Sequence, residues 1–235
     1  MAQLTLFESS EWTLENDERG RITYVPRFID AATATAWFGE MRVAVSWREM
    51  QREMYDRQVS VPRLIGHYWL DPNSSDTPQA ILTAAARVRT YLGVPFNAVG
   101  LNLYRDGRDS VAPHNDHLYE LREGFPIALV SLGATRRMTI RAKTAPRRTT
   151  HVDLEAGSLL VMDYATQLHY THGVPKTQEP VGERISLAFR VKPRQRVTSP
   201  SGADNRTPVL RDGVLAQPRR GGNSRSDSED AVRGS

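Results

Sequence analysis

Residues 110–117 read SVAPHNDH, and three of the last four side chains, His114, Asp116 and His117, can hold a metal or move a proton. In an extended backbone His114 and Asp116, two apart, project to the same side. A further neutral nitrogen would complete a two-histidine, one-carboxylate set, which leaves adjacent positions open on a non-haem Fe(II). His151, His169 and His172 lie downstream and could supply it. His151 opens a polar strand. His172 sits in a turn-forming context, Thr171 to Pro175, with His169 as its near competitor. A polar surface turn rich in histidine has the same spacing without a metal, so the spacing alone leaves the choice open.

A second chemical pattern lies in the stretch RISLAFR, 184–190. Alternation puts Arg184, Ser186, Ala188 and Arg190 on one face and Ile185, Leu187 and Phe189 on the other. Two guanidinium groups on one strand face suit an anion with two ends, such as a dicarboxylate, which they bind through paired charge-assisted hydrogen bonds. The same parity in 98–105 places Asn102 and Tyr104 together, opposite Val99, Leu101 and Leu103. Ion pairs on a solvated face are the competing explanation.

These residues need a scaffold, and the chain is long enough for one substantial core: 235 residues, 39% hydrophobic and 25% charged. It contains no cysteine, which excludes disulfides, thiolate metal sites and catalytic thiols. No apolar run approaches the roughly 20 residues of a membrane span, and the first residues lack the order of a signal peptide, so a cytoplasmic protein without membrane contact is expected. Of the net charge of +4, the tail 193–235 carries +3. This tail has no aromatic residue and is rich in Ser, Gly and Pro, so disorder is expected there. Within the body, Arg136, Arg137, Arg141, Lys143, Arg147 and Arg148 form a basic segment without an acid. It could meet phosphates, or be a solvated strand and loop.

Periodicity predicts a helix from Ala31 to Val45 after Asp30, with Trp37, Phe38, Met41 and Val45 on one stripe. A second helix is predicted with Thr77 as cap, Pro78 at the first position and Gly93 as the stop. The intervening 58–72 reads as irregular and aromatic. After Gly93 the pattern alternates, predicting strands at 98–105, 127–132, 138–142, 158–163 and 185–191. The fold class is therefore α+β: helices on one face of a β-sandwich or jelly roll.

The ordered set LNLYRDGRDSVAPHND, IALVSLGATRRMTIR, GSLLVMDYATQLHYTHGVPK and RISLAFR resembles the AlkB family of Fe(II)- and 2-oxoglutarate-dependent dioxygenases over about 60–192. The resemblance implies a double-stranded β-helix (jelly roll) core at about 95–192 with supporting N-terminal helices, within a single domain, 1–192. It implies His114, Asp116 and His172 as iron ligands, with His172 preferred because it precedes Gly173-Val174-Pro175. It implies a 2-oxoglutarate pocket of Asn102, Tyr104, Arg184, Ser186 and Arg190, with Arg184 on the distal carboxylate. The implied chemistry consumes O2, converts 2-oxoglutarate to succinate, and hydroxylates an N-linked methyl group that leaves as formaldehyde.

On the substrate side the resemblance points to a lid at about 58–72, with Arg63, Tyr68 and Trp69, and to Leu118, Glu120 and His169. It departs from the family at Leu118, where many members carry an acid, and at Ser186, where Asn is common. The expected partner is alkylated DNA or RNA, single strands being easier to engage because base flipping costs less there, with Arg136, Arg137 and Arg141 on the phosphates. DNA repair by demethylation of bases such as 1-methyladenine and 3-methylcytosine is the leading expectation, from a monomer. The alternatives are the same chemistry on a protein, tRNA or small molecule, and a non-catalytic β-sandwich binding module.

Overall fold

Asp30 starts the first helix by accepting the Thr33 backbone N–H (2.8 Å) and the Thr33 hydroxyl (2.6 Å) on its carboxylate, the usual work of an acidic N-cap. A computed structural model of the chain describes residues 11–54, 57–71 and 74–193, of which the side chains of 52–59 are not described. The expected disordered tail, 193–235, lies outside those residues except for Pro193.

In chain order the elements are β1 (Trp12–Asp17), β2 (Gly20–Val25), α1 (Ala31–Ala44), β3 (Arg48–Met54), β4 (Arg57–Trp69), α2 (Gln79–Leu92) and β5 (Ala98–Tyr104). They continue with β6 (Val111–His114), a 3-10 turn (Leu118–Glu120), β7 (Ile127–Gly133), β8 (Arg136–Ala142), β9 (Thr149–Leu154) and β10 (Leu159–Met162). The last are a helical turn (Thr166–His169), β11 (Tyr170–Val174) and β12 (Arg184–Arg190). Strands β1-β2-β10-β7-β12-β5-β4-β3 form an eight-stranded sheet, and β6-β11-β8-β9 form a four-stranded one. Every ladder is antiparallel.

Alternation in the large sheet feeds two cores. Val99, Leu101, Leu103, Ile185, Leu187 and Phe189 join the buried sides of the helices, among them Trp37, Met41, Ile81 and Val88. The other face, with Ile22, Tyr24, Leu129 and Ala188, packs against Met138, Ile140 and Val174 of the small sheet. The result is helices on a jelly-roll sandwich, the α+β architecture read from the pattern. The polar face of β5 and β12 points between the sheets.

Three sequence expectations change. The start of α2 is displaced by one residue: Pro78 is the cap, and the Ala80 N–H is accepted by Glu40 of α1 at 2.7 Å, so a neighbouring helix supplies what Thr77 was expected to give. The stretch expected to be irregular, 58–72, belongs largely to β4. Pro62 is tolerated because pairing with β3 skips from Glu49↔Leu64 to Gln51↔Ser60, so no ladder donor is lost there. The hairpin β1–β2 was not read from the sequence at all.

Two glycines with positive φ differ in what surrounds them. Gly93 ends α2 at φ 65° in open space, whereas Gly133 (φ 80°) faces Arg184 in the ladder, and a Cβ there would drive into the Glu183 carbonyl and the Phe38 ring. Gly93→Ala is expected to cost about 1–2 kcal/mol. Gly133→Ala adds overpacking and should cost more than about 2 kcal/mol. Denaturant unfolding of the two variants measures the difference.

Candidate active site

The site begins with a register. His172 on β11 is the cross-strand partner of His114 on β6, and their rings lie 4.5 Å apart between centroids, tilted by 54°. Asp116 follows two residues later with its backbone N–H given to Gln167 Oε1 at 2.9 Å. Gln167 is itself buried in the helical turn before β11 and passes its amide N–H to the Thr166 hydroxyl. One ligand atom from each of His114, Asp116 and His172 lies within 4.8 Å of the others. Among the described residues this is the metal-competent group of imidazoles and carboxylate.

Their chemistry suits a cation. His114 Nδ1 is 3.0 Å from the Ala112 carbonyl, the contact an Nδ1–H makes, which leaves the Nε2 lone pair for a metal. Burial pushes the His172 pKa down to about 3, so the ring is neutral and able to ligate at physiological pH. Burial alone would raise the pKa of Asp116, but the charge and hydrogen bond of Arg190 outweigh it and hold the carboxyl below the usual range. Arg190 Nε donates to Asp116 Oδ2 at 2.6 Å, leaving Oδ1 on the His114 side. Gly100 makes room for that guanidinium, since a Cβ there would stand 3.2 Å from Arg190 Nη1.

Beside this group lies an inner cavity of about 270 Å³ between the sheets, lined by His114, His172, Asn102, Tyr104, Arg184 and Ser186 among others. Arg184 is 1% exposed and its Nη2 donates to Ser131 Oγ at 2.9 Å. Its Nε and Nη1 find no hydrogen-bond partner among the described residues. The guanidinium stacks over the Tyr104 ring, 5.1 Å to the centroid. Burial lowers its pKa, as expected for a charge removed from water. A buried guanidinium with donors unanswered is costly, and an anionic oxygen in the cavity would answer Nε or Nη1 by a charge-assisted hydrogen bond. A small dicarboxylate with one end at Arg184 and the other toward the metal group therefore fits the residues present. Asn102 and Ser186 line the route between, Asn102 Oδ1 accepting from Arg63 Nε at 2.6 Å.

A second, outer cavity of about 530 Å³ opens on the other side of His114 and Asp116. Its walls include Arg63, His117, Glu120, Arg190 and Lys192. Glu120 is bound to Lys192 Nζ at 2.9 Å, the main reason its pKa is lowered. His114, Arg63 and Arg190 line both cavities, so the metal-competent group sits where they meet.

Several expected substrate residues lie elsewhere. Tyr68 pairs with Val99 in the ladder, packs into the helix-side core, and accepts the Ser46 N–H on its hydroxyl, so it faces away from both cavities. Trp69, one residue on, faces the other way and is 48% exposed, edge-on to His67 at 5.8 Å. Leu118 and His169 line neither cavity. Arg136, expected on phosphates, is 3% exposed and donates to the carbonyls of Asp106, Asp109 and Pro175, which removes it from any surface. Arg137 is exposed but paired with Asp153, and Arg141 is exposed. Ser131, Gln167 and His67 were missed. None has a spacing signature, because each is brought to the site by a different strand or turn.

A profile described as the 2OG-Fe(II) oxygenase superfamily matches residues 21–190. The chain belongs to that superfamily. Within it the chain is AlkB-like: it is 31% identical over 188 residues to the alpha-ketoglutarate-dependent dioxygenase alkB homolog 3 of Rattus norvegicus, covering 72% of this chain and 63% of that protein. It is 32% identical over 185 residues to the DNA oxidative demethylase ALKBH2 of Mus musculus, covering 66% and 77% respectively. The chain thus spans somewhat less than two thirds of the rat relative. The solved structure of OsALKBH1 superposes with a TM-score of 0.50 at 14% identity over 72% of this chain and 97% of that one, a likeness of fold alone.

The superfamily implies Fe(II), 2-oxoglutarate and O2, and the donor set and the unpaired Arg184 fit the first two. Arg184→Ala is expected to raise the 2-oxoglutarate concentration needed for half-maximal turnover by on the order of tenfold or more, while Fe(II) binding, read by calorimetry, stays unchanged. Gln167→Leu has the opposite profile: it frees the Asp116 N–H and should weaken metal binding by on the order of tenfold, with Gln167→Glu recovering most of it.

Proposed function

We propose that the protein demethylates N-alkylated nucleic-acid bases, such as 1-methyladenine and 3-methylcytosine, using Fe(II), O2 and 2-oxoglutarate and releasing succinate and formaldehyde. The observation that carries this reading is the junction of two cavities at His114, Asp116 and His172: one is lined by a buried guanidinium with two donors unanswered, and the two share Arg63, His114 and Arg190. The mouse relative's name, DNA oxidative demethylase, supports the choice of reaction.

His114, Asp116 and His172 would hold the iron, and Arg184 and Asn102 would hold the co-substrate. Iron held there would, with 2-oxoglutarate and O2, supply the oxidising chemistry needed to hydroxylate the methyl carbon. The chain's own contribution is placement. Arg190 keeps Asp116 ionised and its Oδ2 occupied. Arg184 would orient the co-substrate in a cavity whose walls also include the apolar Leu129, Met138 and Val174. The target base would enter the outer cavity past Arg63 and Glu120. Exposed Arg137 and Arg141 are the candidates for phosphate contact. Single strands are favoured in this reading because no pairing must be broken to present the base.

A second reading keeps the chemistry and changes the substrate to a protein, tRNA or small molecule. It is favoured by the absence of an acid at Leu118 and by the neutralisation of Glu120 by Lys192. Mass spectrometry of methylated DNA and RNA oligonucleotides separates the two. Methyl loss dependent on Fe(II) and 2-oxoglutarate is expected, abolished in His114→Ala. Succinate formation without methyl loss from any oligonucleotide would instead favour the second reading. No succinate under any condition would sink both.

A further inference from the structure

Tyr119 exposes 77% of its surface, yet its ring is not loose. It stacks on His117 with centroids 5.2 Å apart and planes at 24°, and His117 lines the outer cavity. The turn that carries both rings is tied down on every side. Glu120 N–H donates to the His117 carbonyl and Leu121 N–H to the Leu118 carbonyl, each at 3.0 Å. Leu121 is buried at 6%, Arg122 N–H donates to the Val191 carbonyl at 2.8 Å, and Glu120 bridges to Lys192. The backbone from Asp116 to Tyr119 can span at most about 11 Å between Cα atoms, so the stack is carried on the same short turn as the metal-competent carboxylate.

Resting on the demethylase reading above, we propose that His117 and Tyr119 form a stacking platform for a nucleobase adjacent to the target base in a single-stranded substrate. A flat aromatic face in water beside a cationic cleft is the arrangement that binds single strands: bases stack on the ring while cations track the phosphates. Arg63, Arg190 and Lys192 line the same cavity against the two carboxylates of Asp116 and Glu120, with which Arg190 and Lys192 are paired, so the lining is net positive. Tyr119 has no core to serve, since its free face meets solvent and its other face meets His117. Trp69, which lines neither cavity, stands edge-on to its histidine at 83° and offers no continuing stack. The partner is unpaired nucleic acid because paired bases have no free face to lay on the tyrosine.

The test compares wild type, Tyr119→Ala and Tyr119→Phe on a short methylated single-stranded oligonucleotide and on the methylated mononucleotide, which has no neighbouring base. Tyr119→Ala should raise KM for the oligonucleotide by on the order of tenfold with kcat preserved. Tyr119→Phe should match wild type, and the mononucleotide should react alike with all three. Unchanged oligonucleotide KM in Tyr119→Ala overturns the platform, as does an equal loss on the mononucleotide. Binding of the oligonucleotide, followed by fluorescence anisotropy, separates this proposal from the reaction it rests on. Binding weakened in Tyr119→Ala without any demethylation by wild type supports the platform and rejects the demethylase. Demethylation with binding indifferent to Tyr119 does the reverse.

Discussion

A positive charge sealed between two sheets with two of its donors unanswered is the constraint around which this molecule is arranged. Arg184 is buried, it donates to Ser131 Oγ and lies over the Tyr104 ring, and its Nε and Nη1 have no partner among the described residues. Such a group is stable only if the rest of the fold is strong enough to keep it there or an anion completes it. Both conditions are visible. β12 sits between β7 and β5 in the middle of the large sheet, with an apolar face pressed on the helices by Ile185, Leu187 and Phe189. The opposite face opens on a cavity that leads to two imidazoles and a carboxylate.

The metal group has a different logic. Its three members come from the small sheet and the loop after β6, and they are aligned by ladder register and not by packing of large side chains. Connection between the two halves of the site is electrostatic. Arg190, six residues from Arg184 on the same face of β12, reaches across to Asp116. One strand therefore carries the buried guanidinium at its first residue and the partner of Asp116 at its last.

What the sequence disclosed was set by parity and by local signals. Alternation in 98–105 and 184–190 gave the correct faces for Asn102, Tyr104, Arg184 and Arg190, because both are central strands with one polar and one apolar side. Helix α1 was legible through Asp30 and its stripe, and α2 through Gly93. Tyr68 was misplaced because Pro62 and Gly66 hid the strand whose register sends it to the helix side. Arg136 was misread because nothing local distinguishes a solvated arginine from one whose guanidinium is consumed by three distant carbonyls. Gln167 and Ser131 carry no pattern at all. The choice of His172 over His169 came from the family resemblance, and its cross-strand pairing with His114 depends on a register that spacing alone does not reveal.

Gly100 does none of the chemistry, yet its missing methyl group reaches the metal ligands through a chain of contacts. The space it leaves is where Arg190 lies, and Arg190 sets how much negative charge Asp116 can offer to a cation. A residue on the neighbouring strand with no side chain of its own thus borders the guanidinium that faces Asp116, so a change there would reach the carboxylate without altering any group that could touch a metal.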